Sequence, residues 1–214
     1  MSKNLLVTLC LCATSCAAVA DTLTLAQNSF SNGVGGQFTA TPVTGFAGIT
    51  GQAADLGAGS FETFCLERNE NFNPGGTFSY TINTFASQGG VGGQDPVGSG
   101  QDPLDARTAY LYFNFRMGTL TGFDYGAGRL ASAGALQDAI WFIENEGGAN
   151  NAFVALADAA VNSGAWTGLG PVRVLNLSSA NHPYAQDQLT IIPAPGAAGA
   201  LALVSVAALR RRRA

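Results

Sequence analysis

Apolar and polar positions alternate with a period of two in four stretches of the first half of the chain: residues 22–25 (TLTL), 37–43 (QFTATPV), 60–67 (SFETFCLE) and 76–83 (GTFSYTIN). That period puts every second side chain on one face of a β-strand. In the third stretch Phe61, Thr63, Cys65 and Glu67 share one face, and Glu62, Phe64 and Leu66 the other. Residues 69–76, rich in Asn, Pro and Gly, read as a loop between antiparallel strands. Residues 88–101 read as a glycine-rich loop, and the pattern then changes. Asp102 as N-cap and Pro103 at the first helical position predict a helix over 104–117, ended by Gly118. Ser132 predicts the cap of a second helix running to Glu146, stopped by Gly147-Gly148. Asn150 or Asn151 opens a third over 152–161, ending near Gly164. Residues 172–177 and 188–192 return to strand. The order predicts an α+β fold: a β-sandwich or barrel with a three-helix insertion.

The two ends break this pattern. Lys3 precedes a run, residues 5–19, that is apolar or small throughout, and Ala18-Val19-Ala20 offers small residues where a signal peptidase reads. A signal peptide over 1–20 is expected, with the mature chain beginning at Asp21. Lipidation at Cys16 ranks below simple cleavage, because Ala13 stands where a leucine-like residue belongs. At the other end Pro193-Ala194-Pro195-Gly196 interrupts regular structure. Residues 197–209 then hold one polar side chain, Ser205, before Arg210, Arg211, Arg212 and Arg213. Residues 194–209 would make about 24 Å of helix at ~1.5 Å per residue, against the roughly 20 residues that cross a typical hydrocarbon core. A thin bilayer and snorkelling arginines absorb that shortfall, and the arginines hold this end in the cytoplasm. A C-terminal membrane-spanning helix is therefore expected. An amphipathic helix packed on the domain would need a polar face that residues 197–209 lack. Residues 192–213 resemble the PEP-CTERM sorting tail, with Pro193-Ala194-Pro195 in place of the usual Pro-Glu-Pro. The resemblance implies an exosortase as partner, beside the signal peptidase. It also implies membrane anchoring until the tail is cut, then delivery to the cell surface or extracellular matrix.

Between the ends lie residues 21–192, enough for one domain with its own core. Fourteen acidic residues against five arginines give them a net charge near −9, and no lysine is present. That balance excludes nucleic acid and an anionic membrane surface as partners. Cys10, Cys12 and Cys16 leave with the signal, so Cys65 has no partner for an internal disulfide. The chain has no Gly-x-Gly-x-x-Gly between strand and helix, no P-loop and no zinc-like cysteine pair, so no cofactor or metal is expected. Asp95, Asp102 and Asp105 match no calcium-loop spacing and read as turn and cap residues. His182, the sole histidine, lacks a Gly-x-Ser-x-Gly companion and reads as a loop residue.

Two segments carry candidate chemistry: Phe64-Cys65-Leu66-Glu67 in a strand and Leu136-Gln137-Asp138-Ala139-Ile140-Trp141 in the second helix. Ala109-Tyr110-Leu111-Tyr112-Phe113 lies between them. In this order they resemble the thioester domains of bacterial surface adhesins, over residues 60–146, with Leu136 where many members have threonine. The resemblance implies an internal thioester joining Cys65 to Gln137, formed with loss of ammonia, and covalent coupling to an amine-bearing surface ligand. Such a protein is consumed as it reacts and is not an enzyme. A thioester survives where water is held off and both groups are pre-placed. Gln137 and Trp141, four apart, share a helix face. Glu67 and Glu144 are the candidate proton acceptors. Taken without the resemblance, the same residues also fit an inert buried thiol, a surface glutamine and a core tryptophan. A structural or matrix protein binding polysaccharide noncovalently is the alternative function. A secreted hydrolase using His182 or a carboxylate pair is the third.

Overall fold

The computed structural model describes residues 20–33, 35–87 and 100–193. The segments expected to be a signal peptide (Ala20 apart) and a sorting helix (beyond Pro193) lie outside the described residues, as does Asp95. Among the described residues no helix is long and apolar enough to cross a membrane. In chain order the elements are β1 (Thr22–Ser31), β2 (Gly36–Thr44), β3 (Phe61–Thr63), β4 (Gly76–Asn83), β5 (Phe85–Ser87), β6 (Gln101–Pro103), α1 (Ala106–Met117), α2 (Arg129–Ile143), α3 (Ala152–Asn162), β7 (Val172–Ser178) and β8 (Ala185–Ile191). The fold is α+β, as the alternation and the helix signals predicted.

Six strands form one antiparallel sheet in the order β3-β2-β1-β4-β7-β8, and β5 and β6 pair as a separate ribbon. The sheet curls until its two edges meet. Leu189 N donates to Phe64 O at 3.2 Å, Leu66 N donates to Asp187 O at 3.1 Å, and Cys65 stands opposite Gln188 in an antiparallel bridge. The six strands thus form a nearly closed barrel, and closure removes the exposed hydrogen-bonding edge that an open sheet leaves. Cys65 sits in the closing seam.

Strand alternation sorts the apolar side chains into two cores. Leu23, Leu25, Phe61, Phe78 and Leu175 fill the barrel together with Cys65. Phe64, Leu66, Val174 and Leu189 point the other way, against Leu111, Phe115 and Ile140 of the helices. The two-faced reading of residues 60–67 holds at Phe61, Cys65, Phe64 and Leu66. β8 is buried along its whole length, because the barrel interior covers one face and other packing covers the second. Its polar residues Gln186, Asp187, Gln188 and Thr190 are therefore inside.

Two helix starts differ from expectation. Asp102 and Pro103 lie in β6, and Asp105 is the N-cap of α1, accepting from Arg107 N at 2.8 Å. Asp105 Oδ2 also takes Arg107 Nη2 at 2.7 Å, a fork that Asp102 has no following arginine to make. The expected stop holds: Gly118 takes a left-handed φ of 73°. The second helix starts at Arg129, and Ser132 is inside it, its hydroxyl accepting from Asp124 N at 3.0 Å. Asp124 also collects Gly126 N and Gly128 N at 2.7 and 3.0 Å, a turn that starts the helix early. The same helix ends at Ile143, where Asn145 turns left-handed (φ 62°) and Glu146 N closes on Trp141 O at 2.8 Å. Asn151 caps α3 as expected, accepting from Phe153 N at 2.9 Å.

A buried ion pair fixes residues 45–59 to α1. The fully buried Arg116 guanidinium donates to Asp55 Oδ2 at 3.0 Å, Ile49 O at 2.7 Å and Tyr112 Oη at 3.0 Å, and lies 5.2 Å from the Phe61 ring centre. The loop is thereby pinned beside β3, two residues before Cys65.

Candidate functional site

The site starts from a gap in the sheet. β2 pairs with β3 through Phe38↔Thr63. Two residues further the register would set Gly36 opposite Cys65, but the pairing with β3 stops at Phe38↔Thr63, and β2 only begins at Gly36, which turns at φ 104°. The β1–β2 hairpin closes there, with Asn32 N donating to Gly35 O at 3.1 Å. On one side of Cys65 the seam with β8 continues. On the other, the Cys65 N–H and C=O have lost their strand partner, and buried main-chain groups need one.

Gln137 supplies it. Its Oε1 accepts from Cys65 N at 3.1 Å and its Nε2 donates to Cys65 O at 2.8 Å. A side-chain carboxamide from α2 thus stands in for a stretch of strand, joining residues 72 apart in sequence. Both residues are buried, Cys65 at 0% and Gln137 at 1% exposure. The approach is tight: a Cβ on Gly35 would fall 2.4 Å from Trp141 Cη2 and 2.9 Å from Gln137 Cγ. Only a glycine lets the hairpin close over the glutamine and the tryptophan.

The sulfur faces elsewhere. Cys65 Sγ donates to Gln186 Oε1 at 2.8 Å and accepts from Gln188 Nε2 at 3.4 Å. Gln186 Nε2 in turn donates to Glu67 O. Three glutamine carboxamides therefore surround one cysteine, one on its main chain and two on its sulfur. Burial, and to a lesser degree the Glu67 charge, push the Cys65 thiol well above its usual range, against a smaller opposing effect of the Gln188 hydrogen bond.

Glu67 is buried, and its Oε2 accepts from Asp187 N at 2.9 Å while Oε1 has no hydrogen-bond partner. Burial, with the neighbouring charges of Asp187 and Glu70, holds its carboxyl well above the ordinary carboxylate range. Burial first, then the charges of Asp187 and Glu146, raises Glu70 to about 7. Glu144 lies at the start of α1, where its Oε1 accepts from Asp105 N at 3.3 Å. Burial pushes it to about 8. The structure thus brings Cys65, Gln137 and Glu67 into one neighbourhood, and gives Glu144 a partner at the head of a helix. Among the described residues, no group of His, Cys, Asp and Glu side chains is arranged to hold a metal ion. His182 sits in the β7–β8 turn, its N–H donating to Ser179 O at 3.2 Å.

Two small clefts reach this neighbourhood from the surface. One, of about 60 Å³, is lined by Gln137, Trp141, Gly35 and Asp138. The other, of about 90 Å³, is lined by Gln186, Phe38, Asn71 and Phe72. Arg68 contributes to both walls, its guanidinium 5.5 Å from the Trp141 ring centre.

No protein-family model, curated protein or solved structure matches the chain. The functional reading therefore rests on this geometry and on the motifs in the sequence.

Gln186, Gln188 and Arg68 were missed in the sequence. The signal for the first two was the Gln-x-Gln of residues 186–188, two polar side chains on one face of a strand. Nothing local marks that face as the inside of a barrel.

Proposed function

We propose that the chain is an exported, exosortase-sorted surface protein whose domain couples covalently to amines through an internal thioester between Cys65 and Gln137. One observation carries the covalent part: the Gln137 carboxamide is held against Cys65 by two hydrogen bonds, in a place almost closed to water. Export and sorting rest on the signal and tail motifs.

The chemistry balances without any cofactor. The Cys65 sulfur adds to the Gln137 carboxamide carbon and the C–N bond breaks. The thiol proton leaves with the nitrogen as ammonia. The carbonyl oxygen develops negative charge on the way, and the Cys65 N–H that already holds Oε1 can stabilise it. For this step the sulfur must turn from Gln186 toward Gln137, a rotamer change about the Cα–Cβ bond. A primary amine then attacks the thioester carbon, an amide forms, and the thiol is regenerated. Glu67, whose Oε1 has no hydrogen-bond partner, takes the amine's proton and passes it to the departing sulfur. Each molecule reacts once.

One observation favours a second reading. The thiol keeps its proton, bonded to Gln186, while Gln137 serves the main chain, an arrangement that is complete as a structural clamp. In that case the protein is a surface or matrix component that binds polysaccharide or its neighbours noncovalently. The intact mass of the mature chain, before and after methylamine, separates the two. The covalent reading requires a mass one ammonia short, a methylamine adduct that makes up the loss, and no sign of either in Cys65→Ala. A full mass with a thiol that alkylates on unfolding leaves only the noncovalent reading.

A further inference from the structure

We propose that Gln186 is a second acyl partner for Cys65, so that the same sulfur can close a thioester to either of two glutamines. This rests on the covalent reading above and adds a partner that the motif resemblance does not contain.

The sulfur's own contacts point to it. Gln186 Oε1 is 2.8 Å from Sγ. A C=O bond is ~1.2 Å long, so the carboxamide carbon is within about 4 Å of the sulfur, close to the ~3–3.5 Å separation of reacting atoms poised for attack. Gln137, by contrast, presents its carboxamide to the Cys65 main chain. Closing the bond to Gln186 needs no turn of the cysteine to a new rotamer.

The surroundings are built for a carboxamide that reacts. Gln186 Nε2, the nitrogen that would depart, is already held by Glu67 O. Gln188 Nε2 donates to the sulfur at 3.4 Å and so favours the thiolate that leaves when an amine attacks. The other atom of that carboxamide, Gln188 Oε1, is fully buried without a hydrogen-bond partner. An orphaned acceptor beside the sulfur calls for a donor, and the N–H of an incoming amine provides one.

Access is separate as well. Gln186 lines the cleft of about 90 Å³, and Gln137 lines the one of about 60 Å³, with Arg68 in the wall of both. An amine reaching Gln186 enters between Phe38, Phe72 and Asn71. The step matches the one at Gln137: the sulfur adds to the Gln186 carboxamide carbon, ammonia leaves with the thiol proton, and amine attack returns the thiol and leaves a substituted amide on residue 186.

The test is to map methylamine on the mature chain by peptide sequencing in a mass spectrometer. We expect part of the label on Gln186. We also expect Gln137→Glu, which keeps the side chain's length but cannot lose ammonia, to retain the mass deficit. Label confined to Gln137, with the deficit gone in a folded Gln137→Glu protein, overturns this inference and leaves the single thioester standing. A wild-type chain with full mass and no label overturns both.

Discussion

The Gln137 side chain has a structural role that can be measured apart from any covalent chemistry. In a Cys65→Ala background no thioester can form, but the main-chain groups at residue 65 remain. Replacing Gln137 by Leu there fills a similar volume and removes both hydrogen bonds, at 3.1 and 2.8 Å, from a position that is 1% exposed. A buried donor or acceptor left unpaired costs about 1–3 kcal/mol. One N–H and one C=O are orphaned together, so we expect a loss of about 3 kcal/mol. With a urea slope of roughly 2 kcal/mol/M, the unfolding midpoint should fall by about 1.5 M. Equilibrium urea unfolding followed by tryptophan fluorescence and circular dichroism reads this directly. A midpoint that moves by less than the equivalent of about 0.5 kcal/mol would refute the reasoning, because Gln137 would then not be the partner that replaces the missing strand.

Gly35→Ala should destabilise the domain by about 1–3 kcal/mol, since its Cβ would fall 2.4 Å from Trp141 Cη2, a rigid ring atom. Thermal unfolding checks the loss, and the variant should also form less methylamine adduct, because the wedge bears on Gln137 Cγ as well. Glu144 binds its proton more tightly folded (about 8) than at its ordinary value of 4.5, so the stability it contributes is complete below about pH 4.5 and is lost as pH rises toward 8. Glu144→Gln should therefore match the wild type at pH 4.5 and exceed it by a few kcal/mol at pH 8–9, at ~1.4 kcal/mol per unit. Denaturant midpoints across that range decide it, and equal midpoints at pH 9 would contradict the burial cost. Asp187 and Glu70, both raised to about 7 chiefly by burial, act in the same direction, so the wild type should lose stability between pH 5 and 8.

Local pattern carried much of this domain. The period-two stretches located β1, β2 and β4, and told the Cys65 face of the third stretch from the Phe64 face. Asn151 and Gly118 acted as helix signals because cap chemistry involves only neighbouring residues. Asp102 misled because two aspartates three apart offer the same cap, and the choice depends on Arg107 and on the pairing of β6 with β5. Ser132 misled because Asp124 had already gathered the amides that start α2.

The sequence alone determined the α+β class, the single cysteine between residues 21 and 192, and the two residues worth bringing together, Cys65 and Gln137. Tertiary structure decided what each of them touches. Closure of the barrel set Gln186 and Gln188, more than a hundred residues from Cys65 along the chain, against its sulfur. The halt of the β2–β3 pairing at Phe38↔Thr63 left Cys65 with main-chain groups for Gln137 to hold. Neither event is encoded within any one segment. Both follow from how strands of unequal length meet around a closed sheet, where an unpaired N–H or C=O must find its partner across space.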